Sequence, residues 1–171
     1  MRESTIHKKR NNSLNNKNFK MKKIIFTLLY ICSAFLSQAQ PLVEKINLKG
    51  TDYTVTKQIP DDMKAILGRY TYEWGEKTEE PIIQLNENNT GLFQPHMVAP
   101  IAIKFWLDCD EKGVIRKQEG INGRYQVTLL IQYGESTNRN YATDSYDLMG
   151  VIVVPDENYA VIYGERYKKL K

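Results

Sequence analysis

The feature that most constrains the fold is an alternation of apolar and polar side chains that begins after Gly68. Successive side chains of a β-strand point to opposite faces, so this period of two predicts strands with one buried and one solvated face. The longest alternating segment is residues 125–133. Its apolar face consists of Tyr125, Val127, Leu129, Ile131 and Tyr133.

Short runs rich in Asn, Asp and Gly separate the alternating segments, as expected of hairpin turns. The predicted strands are residues 69–74, 81–85, 91–94, 101–107, 114–119, 125–133, 148–154 and 159–167. One short helix is predicted between Ile59 and Gly68, because Pro60 and two acidic residues stand where it would begin and Gly68 where it would end.

An antiparallel meander of this length leaves exposed edges unless it closes on itself. The sequence therefore favours an all-β fold, an antiparallel up-and-down β-barrel of about eight strands preceded by one short helix, over a β-sandwich. We expect residues 40–171 to form this single domain.

Residues 21–39 have the pattern of a secretory signal peptide, with Lys22 and Lys23, an apolar run over 24–36 and a small-x-small site ending at Ala39. The run is shorter than the roughly 20 residues of a membrane-spanning helix, so we expect no membrane span in the mature chain. Residues 1–20 are polar and are predicted to precede the true start. The expected location is periplasmic or extracellular.

Two cysteines are present, and the leader holds one of them. Acylation of Cys32 to give a lipid-anchored form is disfavoured, because Tyr30 and Ile31 occupy positions where small residues are needed. Removal of the leader would leave Cys109 alone, so no internal disulfide is expected.

The charge of the predicted domain argues against nucleic-acid binding. The chain has 24 basic and 20 acidic residues, but residues 1–39 contain eight of the basic and one of the acidic ones. The remaining net charge of about −3 provides no surplus of cations to displace phosphate counterions.

The chain resembles the lipocalins, calycin-type barrels that include small exported bacterial proteins. The resemblance covers residues 60–170 and rests on Gly68, Arg69 and Tyr70 after the helix, where lipocalins have Gly-x-Trp, and on Arg166 near the end. It implies a structural cation–π contact between Tyr70 and Arg166 that closes the barrel.

The leading functional hypothesis is a non-enzymatic barrel that binds a small apolar or amphipathic ligand in its interior. Tyrosine and tryptophan suit such a cavity, since they combine an apolar face with a polar group, although strand propensity also explains their abundance. The predicted interior-facing residues are Tyr72, Trp74, Ile103, Phe105, Leu129 and Ile131. Trp106 falls on the opposite face and is a candidate contact for a partner.

The alternative is a cell-envelope protein-interaction module with a filled barrel and functional loops, such as Phe93–Pro100 and Gly134–Asn140. An enzyme is disfavoured, because the sequence has no recognisable nucleophile and base. No cofactor or metal is expected, and His96 is predicted to be a loop residue.

Residues 108–119 partly match a calcium-binding loop, with Asp108, Asp110, Gly113 and Glu119 at the required positions. Lys112 stands where an oxygen ligand belongs and would repel the ion. A polar hairpin turn is therefore preferred over a calcium site.

We predict that export removes residues up to and including Ala39, because that residue completes the small-x-small site. N-terminal sequencing of the exported protein should begin at Gln40. A mature chain that starts before Met21 would contradict both the leader and the assigned start.

Overall fold

The computed structural model describes residues 42–74 and 81–170. The predicted signal peptide, its cleavage site and Cys32 lie outside the described residues. Within the described ranges, no helix is long and apolar enough to cross a membrane.

Eleven antiparallel strands form one sheet in this part of the chain. Their bounds are β1 Val43–Leu48, β2 Thr51–Thr56, β3 Gly68–Tyr72, β4 Ile82–Leu85, β5 Thr90–Gln94, β6 Ile101–Asp108, β7 Gln118–Glu119, β8 Tyr125–Tyr133, β9 Tyr146–Val154, β10 Tyr159–Ile162 and β11 Glu165–Lys169. Three 3₁₀ helices span Asp61–Ile66, Arg139–Tyr141 and Pro155–Glu157.

Eight of these strands close into an up-and-down barrel, which confirms the predicted fold class. They are β3, β4, β5, β6, β8, β9, β10 and β11, and each pairs with the next. The last pairs back to the first, with Tyr167 opposite Tyr72 and Lys169 opposite Tyr70. The short predicted helix is also present, as the 3₁₀ helix Asp61–Ile66, which we call the base helix.

The barrel has two distinct ends. The base end contains the base helix and the connections at residues 86–89, 109–124 and 155–158. The connections after β5, β8 and β10 lie at the opposite end, as do residues 73–74 after β3; we call it the loop end.

The predicted single strand 159–167 is wrong, because the chain turns in its middle. Tyr163 and Gly164 have φ angles of 53° and 82° and join β10 to β11 as a tight hairpin. Positive φ at both central residues is typical of the two-residue turn that matches the twist of paired strands. This additional strand is the one that closes the barrel.

The predicted strand 114–119 is mostly irregular. Only Gln118–Glu119 and an isolated bridge between Cys109 and Ile115 have strand pairing. The Asp110 carboxylate accepts hydrogen bonds from the backbone N–H groups of Lys112 at 2.8 Å and Val114 at 2.9 Å, which confirms the polar turn that was preferred over a calcium site.

Strands β1 and β2 form a hairpin that was not predicted from the sequence, which we call the N-terminal hairpin. It turns at Lys49 and Gly50, whose φ angles are 51° and 86°. One face of the hairpin packs against the outside of the barrel around Leu130, and Val55 is fully buried there. The hairpin is joined to the barrel by pairing of β2 with the end of β6.

Trp106 lies on the outer face of β6, as alternation predicted, but it is not available to a partner. It is only 5% exposed and belongs to the cluster beneath the N-terminal hairpin. Its indole N–H donates to Glu44 at 3.0 Å, and Lys57 lies 5.3 Å from the ring centroid and 2.8 Å from the same carboxylate. The chain itself thus occupies the predicted contact surface.

The base helix is fixed to the barrel by two tyrosines and by burial of Met63 and Ile66. The Tyr70 hydroxyl lies 2.9 Å from the carbonyl oxygens of both Ala65 and Ile66, so it can donate to either. The Tyr125 hydroxyl donates to the Met63 carbonyl at 3.1 Å. These contacts secure the helix across the base end.

The predicted contact between Tyr70 and Arg166 is wrong. The cation beside Tyr70 is Lys169, whose Nζ lies 5.8 Å from the ring centroid and donates to the Ala65 carbonyl at 2.9 Å. Arg166 instead stacks 3.8 Å from the centroid of Tyr159. Lys169 lies opposite Tyr70 in the strand register. Arg166 is an odd number of residues away from Lys169 on β11, so the two side chains point to opposite faces of the strand.

We predict that the two tryptophans of the chain report opposite environments, since Trp106 is 5% exposed and Trp74 is 73% exposed. A Trp74→Phe protein retains only the buried Trp106, so its fluorescence should peak at shorter wavelength than that of the wild type and resist quenching by acrylamide. A Trp106→Phe protein should emit at longer wavelength and be quenched several times more strongly. Equal quenching of the two would contradict the placement of the N-terminal hairpin.

Alkaline stability tests the base contacts. Burial raises the pKa of Tyr125 to about 12, above the roughly 10 of an unfolded tyrosine. The stabilisation from the buried neutral phenol is therefore full below pH 10 and is lost as pH rises through 12. Tyr125→Phe should be about 1 kcal/mol less stable at neutral pH, because it loses the hydrogen bond to Met63.

Denaturant unfolding at several pH values measures both effects. Other buried tyrosines contribute equally to the two proteins, so the difference between wild type and Tyr125→Phe isolates this residue. That difference should shrink between pH 10 and 12. A constant difference would show that Tyr125 does not titrate as a buried group.

Candidate functional site

The middle of the barrel is filled by side chains. Of the predicted interior residues, Phe105, Leu129 and Ile131 are 0% exposed and Ile103 is 3% exposed, and all four belong to one core cluster. A side chain that bordered a water-sized void would keep accessible surface. Phe105, Leu129 and Ile131 therefore touch no such void, and a ligand at their depth would have to displace them.

The other two predicted interior residues lie near the loop end. Tyr72 is half-buried, and its ring contacts Tyr167 edge-on with centroids 5.9 Å apart. Trp74 is 73% exposed and lies past the last residue of β3, so its prediction as an interior residue is wrong. The alternation of faces ends where the strand ends, and the chain turns at residues 73–74.

Four aromatic side chains pack together above the core at the loop end: Phe93, Tyr133, Tyr141 and Tyr163. In this aromatic cluster, the Phe93 centroid lies 5.9, 5.3 and 6.4 Å from those of Tyr133, Tyr141 and Tyr163. Burial is the main cause that raises the pKa of the Tyr133 hydroxyl, which lies 3.5 Å from the Asp147 carboxylate. Tyr133 and Tyr141 also contact each other, with centroids 5.2 Å apart, so Phe93, Tyr133 and Tyr141 extend the packed core towards the loop end, while Tyr163 is 48% exposed.

A pocket of about 400 Å³ opens beside this region. Residues 97–101 form one side of it and residues 135–138 the other; we call it the loop-end pocket. Its volume lies within the roughly 300–1,000 Å³ of small-molecule sites. The two loops named in the sequence analysis thus meet, which their positions in the sequence could not show.

The first wall of the pocket is apolar and is shaped by a tight turn. The Val98 N–H donates to the Pro95 carbonyl at 3.2 Å, and Met97 has a φ of 60°. A positive φ is uncommon for a residue with a long side chain. The turn leaves Met97 86% exposed beside the pocket, while Val98 packs against the core.

The second wall is polar, and its own loop holds it in place. The Ser136 N–H donates to the Thr143 hydroxyl at 3.0 Å, and the Asn138 N–H donates to the Ser136 hydroxyl at 3.1 Å. Asn138 in turn accepts from the Asn140 N–H at 2.9 Å. This network fixes the wall without using a ligand, so the polar face is preorganised.

Gly134 joins the two walls. Its N–H donates to the Ala102 carbonyl at 2.7 Å, directly after the apolar wall enters β6. A Cβ atom at this position would lie 2.9 Å from that carbonyl oxygen. Only glycine therefore allows the polar loop to approach β6 this closely.

In residues 108–119, the segment that partly matches a calcium-binding loop, the carboxylates of Asp108 and Asp110 interact with other groups of the chain. Asp108 forms an ion pair with Arg116 at 2.6 Å. Hydrogen bonds from backbone N–H groups, with that of Val114 first, hold the pKa of Asp110 below its usual range. Among the described residues, no group of three or more His, Cys, Asp or Glu side chains could hold a metal ion.

Cys109 and His96, the two remaining candidates for a catalytic residue, lie at different ends of the barrel. Cys109 is buried, and burial, followed by the charge of Asp108, raises the pKa of its thiol. That shift disfavours the reactive thiolate. His96 is exposed in the turn of the apolar wall and does not line the pocket.

Comparison with known proteins gave no family model, no curated protein and no solved structure that matches the chain. The closed antiparallel barrel is compatible with a lipocalin-like fold.

Proposed function

We propose that this protein is a non-enzymatic, exported, lipocalin-like binding protein that takes a small amphipathic molecule in its loop-end pocket. The observation that carries the proposal is the pocket of about 400 Å³, with an apolar wall at 97–101 facing a polar wall at 135–138. Such a site binds by burying the apolar part of a ligand while polar groups orient the rest.

The packing of the barrel supports a site at the loop end over one in the deep interior. Phe105, Leu129 and Ile131 are fully buried in contact with their neighbours. Opening a cavity there would cost the dispersion and burial energy of those contacts before any ligand could enter. The loop-end pocket requires no such rearrangement.

Export is supported by the signal-peptide pattern of residues 21–39. A periplasmic or extracellular location also fits the described domain, in which Cys109 is a free and buried cysteine. Without a disulfide, the stability of the domain comes from core packing. The chemistry at the pocket supports a binding role, because Glu135 is the one ionisable residue among the described residues that line it.

A second candidate function is a cell-envelope interaction module that uses the same end of the barrel. It is favoured by Met97 and Trp74, which are 86% and 73% exposed on loop-end connections. On this alternative, docking of a partner would bury both side chains. In that case, the loop-end pocket would bind no small molecule, and only the protein partner would contact this end of the barrel.

We predict that filling the pocket abolishes binding of the neutral amphipathic dye N-phenylnaphthylamine. Ala99 lies on the apolar wall and is exposed, so Ala99→Phe adds a ring inside the pocket without touching the core. The fluorescence rise on titrating dye into the full chain should fall at least about tenfold in apparent affinity, as expected when a ligand loses its binding volume.

Ala142→Phe is the matched control, because Ala142 is exposed in the same loop region but does not line the pocket. Every variant retains residues 1–39, so dye bound to that segment cancels in the comparison. Equal dye binding by Ala99→Phe and Ala142→Phe would contradict the assigned site.

A further inference from the structure

We infer that the ligand of the loop-end pocket is an amphipathic organic cation, with its positive group beside Glu135 and its apolar part along residues 97–101. This inference rests on the proposed function and names the class of molecule that the site takes. It follows from how charge and apolar surface are distributed around the pocket.

Charge is present on one wall only. Among the described residues that line the pocket, Glu135 is the single acidic one, and no Lys, Arg or His lines it. Its carboxylate has no ion-pair partner within the described part of the chain. An anionic ligand would meet this carboxylate with no lining cation to offset the repulsion.

Apolar surface is concentrated on the other wall. Met97 and Val98 present a thioether and a branched aliphatic group, and Met97 is 86% exposed, whereas the Ile101 side chain is buried in the core. Methionine is flexible and adapts to apolar ligands of different shape. An aliphatic or aromatic group would therefore pack against residues 97–101.

The geometry keeps these two features on opposite sides of one small volume. The contact between Gly134 and Ala102 holds the polar loop against β6, and the hydrogen bonds of Ser136 and Asn138 fix its course. A molecule that spans the pocket therefore contacts both walls. The two ends of such a molecule must differ in polarity, and its polar end must lie beside the Glu135 carboxylate without electrostatic repulsion.

The test is displacement of N-phenylnaphthylamine from the full chain by three competitors that share one alkyl chain: octyltrimethylammonium, octyl sulfate and octanol. Wild-type protein should release the dye at about two- to fivefold lower concentration of the cation than of the other two, the size expected of a partly solvated ion pair. Added salt should reduce this preference.

Glu135→Gln should lose the preference for the cation while still binding dye, because the substitution removes charge and keeps shape. Glu87→Gln is the matched control, since Glu87 is exposed on the turn after β4 at the base end. It should keep the wild-type order of competitors.

The outcomes separate the two claims. Equal displacement by all three compounds, stronger displacement by octyl sulfate, or a cation preference that survives in Glu135→Gln would overturn the inference and leave the proposed function standing. Dye binding that is the same in wild type and Ala99→Phe would overturn the proposed function itself, and the inference with it.

Discussion

The pairing of β11 with β3 is the interaction on which the rest of this structure depends. Tyr167 opposite Tyr72 and Lys169 opposite Tyr70 convert a meander with two free edges into a closed barrel. Once an eight-stranded sheet closes, every second residue must point into an interior that is just wide enough for side chains. The alternating apolar residues fill that space, which explains why Phe105, Leu129 and Ile131 have no accessible surface.

A filled barrel confines function to its surfaces, and two of these are covered by the chain itself. The base helix lies across one end and is held by the hydroxyls of Tyr70 and Tyr125. The N-terminal hairpin covers the outer face around Trp106, where Glu44 accepts the indole hydrogen bond. At the loop end, the loops after β5 and β8 meet at Gly134 and border a pocket between residues 97–101 and 135–138. The proposed binding role is thus a consequence of how the rest of the barrel is closed.

Much of the fold could be predicted because alternation is a local signal, but tertiary geometry decided the remainder. The turn at Tyr163 and Gly164 was missed, since tyrosine is a strand former and seldom adopts positive φ. The N-terminal hairpin had a visible signal, the Lys49-Gly50 turn between alternating segments, which sequence analysis did not use. The choice of Lys169 over Arg166 as the partner of Tyr70 depends on strand register. The loops of the pocket were predicted, but their meeting depends on the close approach at Gly134.

The most direct test of this account is to locate a bound ligand by NMR, using protein with labelled Val, Leu and Ile methyl groups and saturating octyltrimethylammonium. The account predicts intermolecular NOEs from the alkyl chain to the methyls of Val98, which lines the pocket and is only partly buried. It predicts none to Leu129 or Ile131, which are fully buried in the barrel. NOEs to those two residues would show that the ligand enters the interior, and would contradict the claim that the closed barrel is filled and binds only at its loop end.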